Sequence, residues 1–151
     1  MCCLDQSTKC TGYSIWSNKR MLRHGVIDFS KEKDKDVRLK LMYESIKKLI
    51  TKEKPDFVII EETQFQSNPK VLRTLAQLQG LIIALSYELG FGLIFVEPAT
   101  WKTFVGIKSR KREEQKTETT KLVEKKYKLK SLSEDESDSI AIGMWAINNL
   151  I

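Results

Sequence analysis

One histidine and three cysteines in 151 residues leave little material for imidazole or thiolate chemistry. His24 alone supports neither a histidine-based triad nor a metallo-hydrolase built on imidazole ligands, and it reads as a strand or surface residue. Cys2, Cys3 and Cys10 crowd the first ten residues, odd in number and without CxxC spacing. That excludes a disulfide framework or a zinc site built on them, and they read as small strand residues. No apolar run approaches the roughly 20 residues that span a bilayer. The amino end also lacks a basic segment followed by an apolar one. The expectation is an intracellular protein with no membrane role.

What is present is charge and a moderate apolar content. With 41% hydrophobic and 30% charged residues the composition is that of a globular protein, and the length suits one domain over 1–151. Lysine and arginine number 26 against 20 acids, for a net charge of +6 and a pI of about 9.2. The imbalance favours a polyanionic partner.

Three short strands are expected over 2–29, joined through Gly12 and a turn at Ser17 and Asn18. An amphipathic helix follows over 31–52, stopped by Pro55. Phe57, Val58, Ile59 and Ile60 then form an apolar run without alternation, the mark of a strand buried on both faces. It ends abruptly in Glu61 and Glu62. Asn68 and Pro69 start a helix over 69–89 that is apolar nearly all round. Either a second copy of the chain covers one side of it, or it lies deep in one core. Residues 93–96 form another buried strand, and Pro98 opens a short helix. Lys108, Arg110, Lys111 and Arg112 then form a basic loop, and a helix is expected over 116–126. The last helix opens on Ser133, Glu134, Asp135 and Glu136, a capping box with an acidic first turn. Asp135 and Asp138 are three apart and share a face. Asp138 leads directly into the core stripe of Ile142 and Trp145, so it is expected to face inward.

Acids from distant parts of the chain therefore converge: Asp5 at the end of the first strand, Glu61 at the end of the fourth, Asp135 and Asp138 at the last helix. Carboxylates brought together repel and require neutralising. Magnesium fits, as a hard ion held by carboxylate oxygens and commonly shared with phosphate. Two ions flanking a phosphodiester would activate water and stabilise the leaving oxygen. Taking those four from the 20 acids leaves 16 facing 26 bases, which strengthens the case for nucleic acid.

The order of motifs is similar to that of the RuvC family of Holliday junction resolvases, in a bacteriophage-encoded form. The residues that carry the likeness are Leu4-Asp5-Gln6-Ser7-Thr8 with Thr11-Gly12-Tyr13, then Ile60-Glu61-Glu62, Gln77-Leu78-Gln79-Gly80, Lys102-Thr103-Phe104-Val105-Gly106 and Asp135-Glu136-Ser137-Asp138-Ser139. The resemblance implies an α/β ribonuclease-H-like fold, a mixed five-stranded sheet of three antiparallel then two parallel strands flanked by helices. It implies a metal-dependent endodeoxyribonuclease with Mg2+ or Mn2+, two ions per active site, held by Asp5, Glu61, Asp135 and Asp138. It also implies a homodimer through the helix at 69–89, with Leu75 and Ile82 expected on the seam, acting on branched DNA and four-way junctions above all. The location would be the cytoplasm, that of the bacterial host for a phage form. Lys102 and Lys116 match family lysines that contact DNA. Two other functions fit the same acids or the same fold: a broader branched-DNA nuclease, and a catalytically silent DNA-binding relative.

Two departures stand out. Asp-Pro-Gly of the family is Asp5-Gln6-Ser7 here. The family's aromatic wedge is Gln64, with Phe65 beside it, so Phe65 is expected either to stack on an unpaired base or to lie in the core. The basic run Lys108, Arg110, Lys111 and Arg112 reads as an extended DNA-binding loop.

Overall fold

The computed structural model describes residues 1–64 and 68–150. Strands β1 (Cys2–Asp5), β2 (Cys10–Ser17) and β3 (Arg20–Asp28) form an antiparallel meander, and β4 (Phe57–Glu61) and β5 (Gly92–Val96) extend it in parallel. The sheet order is β3-β2-β1-β4-β5, as the resemblance implied. The β2–β3 turn uses Asn18 and Lys19 at positive φ, 47° and 62°, the twist a tight hairpin needs.

Five helices cover the sheet: α1 (Lys35–Glu53), α2 (Pro69–Leu89), α3 (Pro98–Val105), α4 (Arg112–Tyr127) and α5 (Glu134–Asn149). Strand alternation divides the core into two. Cys2, Leu4, Val58 and Ile60 face α1 and α2, packed with Met42, Ile46, Leu78, Ile82 and Leu85. Cys3 and Ile59 face the other way, into a core of Trp16, Trp101, Val123, Ile140 and Ile142 from β2 and helices α3, α4 and α5. The next residues along β1 and β4 on that second face are Asp5 and Glu61. The apolar alternation thus delivers both acids to the α5 side at the carboxyl edge of adjacent parallel strands.

Helix α5 sits unusually close to the sheet. A Cβ on Gly12, the β2 partner of Asp5, would lie 1.8 Å from the Asp135 carbonyl oxygen. One on Gly143 would lie 2.2 Å from Trp16 Nε1. Between them, Trp16 Nε1 donates to Ser14 Oγ at 2.8 Å and Ser14 Oγ donates to the Ser139 carbonyl at 2.7 Å, both buried.

Three expectations change. Helix α1 begins at Lys35 because Asp34 caps it, accepting from the backbone N–H groups of Asp36 and Val37; residues 31–34 lie outside it. Helix α4 begins at Arg112, four residues early, since Glu113 and Glu114 suit a helix amino end. Helix α2 buries only Leu78, Ile82, Leu85 and Ser86. Ile82 is fully buried in this chain's own core, so it cannot lie on a seam. Among the described residues no helix is long and apolar enough to cross a membrane.

Candidate active site

Asp5, Glu61, Asp135 and Asp138 come together at one edge of the sheet. Leu4 pairs with Ile60 in the parallel ladder, which sets Asp5 beside Glu61. Helix α5, seated on Gly12, brings Asp135 and Asp138 over them. The capping box forms as expected, with Glu136 N–H donating to Ser133 Oγ at 3.2 Å. Ser133 and Glu136 therefore cap the helix, and Asp138 is left free of that role.

The electrostatics follow from this crowding. Burial pushes the Asp5 carboxyl well above its ordinary range, and the charges of Asp138, Glu61 and Asp135 push it further. Asp138, 8% exposed, is pushed up to about 7 by burial and by Glu61, against the pull of Lys102 and Lys116. Glu61 rises by burial, while Trp101, Lys102 and Arg112 restrain it. A buried carboxylate without donors is costly, and Asp138 Oδ1 is buried with no hydrogen-bond partner.

By the chemistry of the donors, hard carboxylate oxygens crowded together and short of positive charge, the group that would satisfy this oxygen is a cation. Among the described residues no three Asp, Glu, His or Cys side chains close into a ready-made metal cage. Magnesium is typically held by one or two carboxylates with water and substrate phosphate completing the shell. The residues present fit such an ion.

Several neighbours escaped notice in the sequence. Trp101 Nε1 donates to Glu61 Oε2 at 2.7 Å and fixes that carboxylate; the tryptophan beside Lys102 was its only signal. Gln6, at the departure from Asp-Pro-Gly, donates through Nε2 to the Glu61 carbonyl at 2.5 Å and ties β1 to β4. Burial, and then the nearby Asp135 carboxylate, raise the Cys10 thiol to about 12. His24 Nδ1 lies 2.5 Å from Glu136 Oε1, bracing β3 against α5.

Lys102 and Lys116 both reach the acids electrostatically. Lys102 Nζ donates to Gln115 Oε1 at 3.2 Å and lies over the Trp101 ring at 5.2 Å. Burial lowers the Lys116 ammonium, but its 2.6 Å bond to Glu134 and the charges of Glu134 and Asp135 outweigh this and raise it. In the basic run, the backbone N–H groups of Lys108 and Ser109 donate to the Glu118 carboxylate. Lys108, Arg110, Lys111 and Arg112 have exposed side chains. Arg112 belongs to α4 and is close enough to Glu61 to hold its carboxyl down. Gln64 is exposed at the loop after β4. Phe65 lies outside the described residues.

A carboxylate cluster at the ends of adjacent parallel strands, on a sheet of this order, defines a ribonuclease-H-like nuclease domain. The chain belongs to the crossover junction endodeoxyribonuclease RuvC family, whose model matches residues 1–146. Crossover junction endodeoxyribonuclease RuvC of Wigglesworthia glossinidia brevipalpis is 32% identical over 155 residues, covering 97% of this chain and 93% of the relative. That of Fusobacterium nucleatum subsp. nucleatum is 28% identical over 153 residues, covering 97% and 79%. Among solved structures, T. thermophilus RuvC in complex with Holliday junction substrate matches with a TM-score of 0.76 at 16% identity, covering 97% of this chain and 90% of that one. Fowlpox virus resolvase with its Holliday junction DNA matches at 0.63 and 20% identity, covering 99% of each. At such identities the two structures speak to the fold, and they agree with it. Nucleases of the family depend on a divalent metal.

Proposed function

We propose that residues 1–151 form one nuclease domain that hydrolyses DNA phosphodiesters at four-way junctions, acting as a symmetric dimer in the cytoplasm. The observation that carries this reading is Asp138 Oδ1, buried without a partner in a cluster of acids. Asp5, Glu61, Asp135 and Asp138 would hold two Mg2+ or Mn2+ ions. When bound, these supply an activated water and stabilisation of the leaving oxygen.

The chain's own residues prepare that chemistry. Burial and the neighbouring acids raise the Asp138 carboxyl to about 7, so a cation held beside it would favour its charged form near neutral pH. Trp101 holds Glu61 Oε2 and Gln6 holds the Glu61 backbone, so neither strand end drifts. Lys102 and Lys116 stand beside the acids to contact phosphates flanking the cut. Lys108, Arg110, Lys111 and Arg112 would follow the DNA backbone further out, and Gln64 and Phe65 would meet the junction centre.

For the dimer, α2 offers an outward stripe of Ala76, Gly80 and Ala84 ending at Tyr87, which is 83% exposed. A Cβ on Gly80 would meet nothing in this chain, so a second backbone has room to approach. Cleavage of synthetic four-way, three-way, forked and linear duplexes with magnesium tests the whole reading. Cutting confined to the four-way substrate supports it. Equal cutting of all branched forms would make the protein a general branched-DNA nuclease, and binding without cutting a silent relative.

A further inference from the structure

Helix α1 starts beyond the carboxyl end of the sheet after β3, and α2 starts there after β4, on the face opposite α5. Between their amino-terminal turns lies a cavity of about 330 Å³ lined by Lys35, Asp36, Lys70, Arg73, Thr74 and Gln77. Lys35, Lys70 and Arg73 are exposed. Among the described residues, none of the three forms an ion pair or a side-chain hydrogen bond.

The placement breaks a local rule. Acidic side chains are favoured at a helix amino end and basic ones at the carboxyl end. Yet α2 has no acid in its first turn, and Lys70 sits there instead. Lys35 is the first residue of α1. At α1 the cap Asp34 and Asp36 stand beside Lys35, but at α2 Lys70 and Arg73 have no carboxylate in the first turn to offset them. Such a conflict is expected where a site serves a ligand. The ligand must be anionic, must tolerate an open polar pocket, and must lie at the same sheet edge as the acids.

We propose that the pocket of Lys35, Lys70 and Arg73 binds backbone phosphates of a DNA arm leaving the active site on the α1–α2 side. The inference rests on the DNA-nuclease reading and adds a second contact region to it, across the sheet from Lys102 and Lys116. The pocket carries affinity and arm direction and takes no part in hydrolysis, since it lies on the other side of the sheet from Asp138.

The test compares two charge-matched variants on a four-way junction in chelator, where binding is read without cutting. Lys70→Glu with Arg73→Glu alters the pocket. Lys48→Glu with Lys52→Glu makes the same charge change at the far end of α1. The pocket variant is expected to bind about 10-fold more weakly at 0.1 M salt, with the slope of log affinity against log salt reduced by about 2, roughly one for each phosphate left without its cation. The control is expected to keep the slope of the unaltered protein. Circular dichroism and gel filtration accompany both, and Lys70→Gln with Arg73→Gln serves where charge reversal unfolds the chain.

Equal loss in both variants would overturn the proposal, because net charge alone would explain it. Unchanged binding in the pocket variant would overturn it as well. So would conversion to monomer, which would give the pocket to the dimer seam. An unaltered protein that cuts junctions while the pocket variant matches it in binding disproves the pocket alone. An unaltered protein that binds no DNA sinks both readings.

Discussion

Helices α2 and α5 flank the same sheet from opposite faces, and their sequences mislead in opposite directions. Helix α2 is the more apolar by eye, yet buries four residues. Helix α5 opens on acids and serines, yet buries nine, among them Ser137, Asp138 and Ser139. The difference lies in what each helix meets. Helix α5 crosses β1 and β2 at Gly12 and Gly143, close enough that even its polar first turns are enclosed. Helix α2 rests one stripe on the sheet and leaves the rest outside. On the proposed function, inward polarity on one helix serves the chemistry, and outward apolarity on the other leaves a surface for a partner.

The strongest way to break this contrast is to neutralise the inward acid. Asp138→Asn removes a charge and almost no volume, so junction binding should persist while cleavage falls about 10³-fold, the equivalent of several kcal/mol of lost metal-assisted stabilisation. Retained cleavage would remove Asp138 from the site. Next comes the buried stripe of α2. Ile82→Ala should cost about 2–5 kcal/mol of stability, read as a lowered denaturation midpoint. Ala84→Arg, on the outer stripe, should leave the helical signal intact and shift elution to a monomer. A dimer that survives it would move the seam elsewhere.

The two helical glycines sharpen the contrast further. Gly143→Ala puts a methyl against the buried Trp16 ring and should destabilise by about 1–3 kcal/mol, as overpacking does. Gly80→Ala meets nothing within the chain. It should stabilise the isolated fold by about 0.5–1 kcal/mol through the unfolded state, while weakening association. Equal effects at both sites would mean that α5 is no closer to its sheet than α2.

Much of this was legible before the structure. Val58, Ile59, Ile60 and Glu61 announce a buried strand ending in charge, and Asp138 announces itself by leading into Ile142 and Trp145. What could not be read is what depends on approach across the fold. Gly12 reads as a turn residue and is instead the seat of Asp135. Gln6 reads only as a departure from the family's Asp-Pro-Gly, and its side chain ties the strands by bonding the Glu61 carbonyl. The basic run reads as loop because charge carries no period, so the start of α4 at Arg112 is visible only through Glu113 and Glu114. The apolar excess of α2 invited burial on all sides, because apolarity does not say which chain does the burying.

The last effect concerns protons at the inward acid in metal-free protein. Burial and Glu61 raise the Asp138 carboxyl from 3.8 to about 7 in the folded state, and Asp5 moves in the same direction. A folded state that holds its proton more tightly than the unfolded chain is favoured at low pH. That contribution is complete below about 3.8 and lost as pH rises through about 7. The lowered carboxyls of Asp28 and Glu118 work oppositely, but they titrate below their ordinary values and so leave the window from pH 5 to 8 clear. In chelator, the melting temperature should therefore fall from pH 5 to pH 8, and Asp138→Asn should flatten the fall. Even a tenfold tighter hold on one proton is worth about 1.4 kcal/mol, or ~3–6 °C in a chain of this length. Magnesium added at pH 8 should restore the unaltered protein more than the variant, because it supplies the charge that Asp138 Oδ1 lacks. An equal fall with pH in both proteins would show that Asp138 is solvated like any surface acid, and the contrast between the two helices would lose its chemical half.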